Sequence, residues 1–332
     1  MGLVSAVFLV WYYRQGKVET PIVFDGNTMG TTYHIKYFDE QNRNLKPQID
    51  SLLIIFNNSL STYIPDSEIS RFNKDSVFRF ESEYFTEVLQ ASSNVVELTN
   101  GAFDPTVMPL VNVWGFGPEK RQDVDSAYID SIKTFVGFDK MIQFNKEKVW
   151  KTDKRATLDF SAVAKGYGVD IVVEYIQSLG IEDLFVEIGG EVRCAGSNLQ
   201  SGNPWRIAII DPVSEIVNPT FIAQLEPGNK SVATSANNFN YRIVDGVKYS
   251  HTISPYSGFP IKQAILSATV ITDDCQTADA LATSFMVMGH EKAMNIVKNQ
   301  SGIDAFLIYS RSDGRMDYFV SDGIKDKINL LD

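Results

Sequence analysis

Apolar positions fall into two periods along this chain. Ile49, Leu52, Leu53, Phe56 and Leu60 recur at the spacing of a helix with one buried face. Phe85, Val88, Leu89 and Val96 repeat that spacing and stop before Asn100-Gly101, a helix-end signal. The same period predicts helices over about 162–179, 275–289 and 290–298. Short runs rich in β-branched residues predict strands at 184–188, 205–210, 221–225 and 266–271. Asp245-Gly246 lies between the runs 241–244 and 247–249, and Asp313-Gly314 between 305–309 and 316–320; each reads as a hairpin turn. Hairpins mixed with helices predict an α+β fold with a mixed or antiparallel sheet and packed helices, not a doubly wound parallel sheet. No repeat, low-complexity stretch or Pro/Gly/Ser-rich linker interrupts it, so one compact domain is expected over 21–332.

The first residues break this pattern. Residues 2–13 read GLVSAVFLVWYY, nearly all apolar, and Arg14 and Lys17 follow. The run is shorter than the ~20 residues of a spanning helix. It lacks the basic start of a signal peptide, and no lipoprotein-type cysteine lies near it. Its aromatic end suits a membrane interface. Residues 1–20 are therefore expected to be a membrane anchor or signal remnant, with a buried N-terminal strand as the alternative.

Charge narrows the partners. The chain has 332 residues, a net charge of −11 and a pI near 4.9. Such acidity argues against general nucleic-acid binding, which needs Lys and Arg to neutralise phosphates. A phosphorylated ligand would need a local positive charge, most simply a metal ion. Cys194 and Cys275 match no zinc spacing and read as small buried apolar residues, with their pairing left open.

Several near-motifs fail. His290-Glu291 begins like a zinc-protease motif, but Met294 stands where the second His belongs. Trp114-Gly115-Phe116-Gly117 lacks the strand and helix of a dinucleotide fingerprint. Three other features carry chemistry. In residues 158–168, LDFSAVAKGYG, a polar loop feeds a helix start, where free N–H groups favour an anion. Lys165 opposes the helix dipole there, which suggests a phosphate partner; the alternative is a solvated surface lysine. Asp279 and Thr283 share one face of a helix whose neighbours Ala278, Ala280, Leu281 and Phe285 are small or apolar. A buried Asp needs a partner, and a carboxylate with a hydroxyl one turn later suits magnesium. The alternative is an Asp that stabilises the helix start. Of the three His, His34 sits in an alternating stretch and reads as structural, and His290 at a helix start reads as solvated. His251 sits in a polar run after the hairpin and is the best acid–base candidate.

Taken in order, the segments Met-Gly-Thr from Met29, Leu-Ser-Thr-Tyr ending at Tyr63, Gly-Ala-Phe-Asp-Pro-Thr around Asp104, Trp-Gly-Phe-Gly from Trp114, Ala-Lys-Gly-Tyr around Lys165, Ser-His-Thr-Ile-Ser-Pro around His251 and Ala-Asp-Ala-Leu-Ala-Thr ending at Thr283 resemble the ApbE family, the FAD:protein FMN transferases. The match runs from about Thr28 to Gly289, with Phe160 standing where an aliphatic residue is common. The resemblance implies Mg2+-dependent transfer of FMN from FAD to a Ser or Thr hydroxyl of a partner protein through a phosphodiester, with AMP released. It implies an acceptor in a respiratory or electron-transfer complex. Carried over, the metal site is the Ala162 carbonyl with Asp279 and Thr283. FAD contacts fall to Met29, Tyr63, Ala102, Phe103, Asp104, Asp159, Lys165 and Ile253. His251 takes the acceptor proton, with Asp159 as its rival. The alternatives are an FAD pyrophosphatase that uses water, and a non-enzymatic flavin-binding protein. The expected location is the inner membrane with the catalytic domain on the periplasmic side, although Arg14 and Lys17 would favour the cytoplasm.

Overall fold

The structure is a computed structural model that describes residues 20–117, 125–215, 217–236, 241–244, 247–250, 252–261 and 265–331. The expected N-terminal anchor and His251 lie outside these residues. Among the described residues no helix is long and apolar enough to cross a membrane.

The α+β expectation holds, and the sheet is antiparallel throughout. Its eight strands lie in the order Ile22–Thr28, Thr31–Tyr37, Leu184–Ile188, Glu191–Ala195, Ser231–Ala236, Ile265–Thr272, Asp304–Ser310 and Met316–Val320. Each pairs antiparallel with its neighbour. Leu184–Ile188 turns into Glu191–Ala195 through Gly189 and Gly190 alone, at φ +61 and +101. Two positive φ values give the turn whose twist matches a hairpin, and glycine takes them without strain. Met29-Gly30 makes the corresponding turn between the first two strands, with Met29 at φ 50.

Helices Lys46–Leu60, Glu83–Leu98, Ala164–Ser178 and Cys275–Met288 bury their apolar faces on one side of this sheet, where Leu53, Phe56, Leu89, Val172, Leu281 and Phe285 share a core. A small sheet of Ile207–Ile210, Phe221–Leu225 and Ile328–Leu330 covers the other side. Strand side chains alternate between the two. Ala268, Val270, Ala305 and Leu307 face the helical core, while Ile271, Phe306 and Ile308 join Ile209 and Leu225. Burial on both faces is why these strands read as mostly apolar runs without strict alternation, each buried Val, Leu, Ile or Phe adding about 1.5–3 kcal/mol.

Boundaries shift for local reasons. The helix expected from residue 162 begins at Ala164, because Asp159 Oδ1 accepts from Ser161 N at 2.9 Å and holds the preceding residues in a turn. The strand expected from Trp205 begins at Ile207; the Trp205 indole donates to Ala195 O at 2.8 Å instead. Both expected hairpins form, Tyr241–Val244 with Val247–Ser250 and Asp304–Ser310 with Met316–Val320. Cys194 and Cys275 are both buried free thiols.

Candidate active site

A cleft of about 920 Å³ opens beside the edge of the helical core. Its walls come from segments far apart in sequence: Thr62-Tyr63, residues 102–105, Asp159 to Lys165, the Gly189-Gly190 turn, the strand Ile207–Ile210 and Asp279 with Thr283. Side-chain and backbone hydrogen bonds bring these together. Asn73, on the helix Glu68–Lys74, bonds Leu158 through both backbone groups, accepting from its N at 2.7 Å and donating to its O at 2.8 Å. Asp159 N donates to Pro105 O at 2.8 Å, which ties the loop before Lys165 to the loop after Gly101. The Trp114 indole donates to Gly258 O at 2.8 Å.

The charged wall is built where two helices nearly touch. A Cβ on Gly166 would stand 2.2 Å from Cys275 O and 2.9 Å from Asp279 Cβ, so only glycine lets Ala164–Ser178 lie this close to Cys275–Met288. Gly166 N donates to Asp279 Oδ2 at 3.0 Å. The Lys165 ammonium lies 2.5 Å from Glu191 Oε1 and 3.8 Å from Asp279 Oδ1. Burial works against the Lys165 charge, but Asp279 and Glu191 together hold its pKa above the ordinary lysine value. Burial raises the Glu191 carboxyl, Lys165 opposes this, and the Asp279 charge adds to it. Lys165 is thus partly buried in the cleft wall and not a free point charge; two carboxylates share it. Thr283 Oγ1 lies one turn beyond Asp279, 3.2 Å from Ser235 Oγ.

Asp170 fixes this wall from behind. Its carboxylate accepts from Cys275 N at 2.8 Å and Gln276 N at 2.9 Å, and pairs with Arg193 Nη1 at 2.7 Å. Those N–H groups open the helix that carries Asp279, so Asp170 both caps that helix and ties it to the strand of Glu191. Burial pushes the Asp170 carboxyl up to about 6 against these partners.

The residues named from the sequence distribute as follows. Tyr63, Ala102, Phe103, Asp104, Asp159 and Ala162 line the cleft. Lys165, Ile253, Asp279 and Thr283 line it too. Met29 does not; it belongs to a separate depression over residues 27–32, and its methyl lies toward Gly168 on the back of the Lys165 helix. Asp104 turns its carboxylate into the protein, accepting from Thr106 N and Oγ1 at 2.8 and 2.6 Å and from Phe138 N at 3.2 Å, and burial raises its pKa. Burial likewise raises Asp159, against its Ser161 hydrogen bonds. His34 pairs with Asp25 on the first hairpin at 2.7 Å. His290, expected to be solvated, stacks on Tyr309 with centroids 4.2 Å apart.

Glu191, Asp170 and Arg193 were not foreseen. The signal for Glu191 was the Gly-Gly pair directly after a strand-like run, which forces a hairpin and starts a new strand at that residue. Asp170 and Arg193 carry no local signal, because their partners are remote in sequence.

Magnesium fits what is present. The donors are oxygens, and one ammonium faces two carboxylates, leaving the wall short of positive charge. Among the described residues no three His, Cys, Asp or Glu side chains are grouped for a metal, so the set is one carboxylate and one hydroxyl with backbone and ligand oxygens.

Solved structures define the class. The chain matches the flavin transferase ApbE from Vibrio cholerae with a TM-score of 0.83 and 39% identity, over 93% of this chain and 99% of that one. A histidine-to-glycine variant of that protein matches at 0.81 and 39% identity, over 91% and 98%. The fold is therefore that of the flavin transferases. The FAD:protein FMN transferase of Vibrio cholerae is 42% identical over 320 residues, 91% of each chain. The ApbE family profile matches residues 29–307, and the chain belongs to the ApbE family.

Proposed function

We propose that this chain is an FAD:protein FMN transferase that moves FMN from FAD onto a Ser or Thr hydroxyl of a partner protein and releases AMP. The observation that carries this reading is the charged wall of Lys165, Glu191, Asp279 and Thr283 on a cleft of about 920 Å³. Such a volume suits a dinucleotide with apolar rings at its ends and a diphosphate between them. Phe103 and Ile253 offer apolar surface, and Tyr63 is 70% exposed at the cleft, free to cover a ring. Lys165 holds a diphosphate oxygen. Asp279, Thr283 and the Ala162 carbonyl would hold Mg2+, which when bound neutralises phosphate charge and stabilises the leaving AMP. The acceptor oxygen bonds to the FMN phosphorus as the bond to the AMP phosphate breaks. His251 takes the hydroxyl proton. The acceptor is a subunit of a respiratory or electron-transfer complex, and residues 1–20 tether the enzyme to the inner membrane on its periplasmic side.

The test incubates the chain with FAD, Mg2+ and a candidate acceptor and reads products by mass spectrometry. An acceptor gaining FMN, with AMP appearing in step, is the expected result. Free FMN and AMP without modified acceptor would make it a pyrophosphatase. Intact FAD in a tight yellow complex would make it a flavin carrier.

A further inference from the structure

We propose that Glu191 is an outer-sphere carboxylate of the cation site, holding Lys165 with one oxygen and a cation-bound water with the other. This rests on the reading that a divalent cation binds at Asp279 and Thr283. Glu191 stands at the first position of its strand, fixed by the two-residue Gly189-Gly190 turn, and is 4% exposed. Its Oε1 is 2.5 Å from the Lys165 ammonium. Its Oε2 is buried and has no hydrogen-bond partner among the described residues, yet Glu191 is part of the cleft wall. A buried acceptor left unmatched is costly, so such an oxygen points to a donor that arrives with the ligand.

The geometry selects that donor. Asp279 and Glu191 contact the same ammonium, at 3.8 and 2.5 Å, so the two carboxylates flank one point in the wall. Arg193 is not available to Glu191, because it is committed to Asp170 at 2.7 Å. Magnesium bound by few protein oxygens keeps several waters, and their hydrogens need acceptors. Glu191 Oε2 supplies one. It also offsets the Lys165 charge, which would otherwise repel a cation placed on Asp279.

Direct cation binding tests this. Mg2+ and Mn2+ are titrated calorimetrically into the full chain with ADP present, since ADP supplies a diphosphate without FMN to transfer. Glu191→Gln keeps the shape and removes the charge. In the folded variant, confirmed by a cooperative unfolding transition, cation affinity should fall about 10–100-fold. Unchanged cation affinity in Glu191→Gln overturns the proposal. Asp279→Asn separates the layers. If it still binds the cation normally, the metal-site reading fails. If it loses the cation while Glu191→Gln keeps it, only the role of Glu191 fails. Should Glu191→Gln not fold, Glu191→Asp shortens the arm and keeps the charge. Cation affinity must then fall in the folded variant, and an unchanged value again overturns the proposal.

Discussion

Gly166→Ala is a one-methyl perturbation aimed at the narrowest point between the two site helices. The added Cβ would meet Cys275 O at 2.2 Å, Cys275 C at 2.6 Å and Asp279 Cβ at 2.9 Å. Carbon contacts are favourable only near about 3.5 Å. The first two atoms are backbone, so no side-chain rotation relieves the overlap, and the helices must part by about 1 Å. Overpacking of this kind costs about 1–3 kcal/mol. Replacing glycine inside a helix returns about 1 kcal/mol, so the overlap wins by a modest margin. The thermal midpoint should drop by roughly 2–4 °C per net kcal/mol. Function should suffer more than stability. Asp279 accepts from Gly166 N at 3.0 Å, so parting the helices moves Asp279 away from Lys165 and the cleft. A 1 Å misplacement can cost about 100-fold in rate. Single-turnover FMN transfer at saturating Mg2+, read beside thermal unfolding, measures both. Turnover within about twofold of wild type, with an unchanged or higher midpoint, would refute the close-approach argument.

Asp279→Ala should abolish Mg2+-dependent turnover and leave the fold intact, with a larger loss than Thr283→Ala, because a carboxylate brings full charge to a hard cation and a hydroxyl only a dipole; Mg2+ titration of both variants checks the order, and normal Asp279→Ala turnover sinks the assignment. His251→Ala should slow transfer about 10²–10⁴-fold with FAD affinity little changed; equal losses in both would recast it as a nucleotide contact. Asp170 gives a pH dependence. Its folded pKa of about 6 lies above the usual carboxylate value, so its stabilising contribution is full below about pH 4 and lost as pH rises through about 6, a swing of at most about 3 kcal/mol. Relative to Asp170→Asn, the wild-type midpoint should therefore rise as pH falls from about 7 to about 4, and a pH-independent difference would contradict this. Protease added to intact cells with a permeable outer envelope should reach the catalytic domain, and protection by the inner membrane would exclude the periplasmic placement.

The long helices and both hairpins were legible because each carries a full period or a turn signal of its own. The short helices Met108–Val113 and Ser126–Lys133 were not, since neither spans three full turns. Nor was the small sheet of Val77–Arg79, Ile142–Phe144 and Lys148–Lys151, whose strands are too short to show alternation. Asp279 and Thr283 were legible as a pair on one helical face. The meaning of Lys165 was only half legible. Its awkward position at a helix start was visible, but the carboxylates that compensate it come from residues 191 and 279, and only folding brings them there. Asp104 came from the family resemblance as an FAD contact; it lines the cleft, and its carboxylate also closes its own loop from within, which no local pattern announced.

The second and third strands of the main sheet set a timing problem for synthesis. Thr31–Tyr37 pairs with Leu184–Ile188, Tyr33 opposite Ile188, so partners in the ladder emerge from the ribosome roughly 150 residues apart. At roughly 5–20 residues per second, the edge of Thr31–Tyr37 waits about 8–30 s for its partner. Through that interval Tyr33, Ile35 and Tyr37, all but inaccessible in the finished protein, lack the strand that completes their core. A nascent chain shielded by a holding chaperone, or kept extended for export, would avoid pairing that strand with a neighbour.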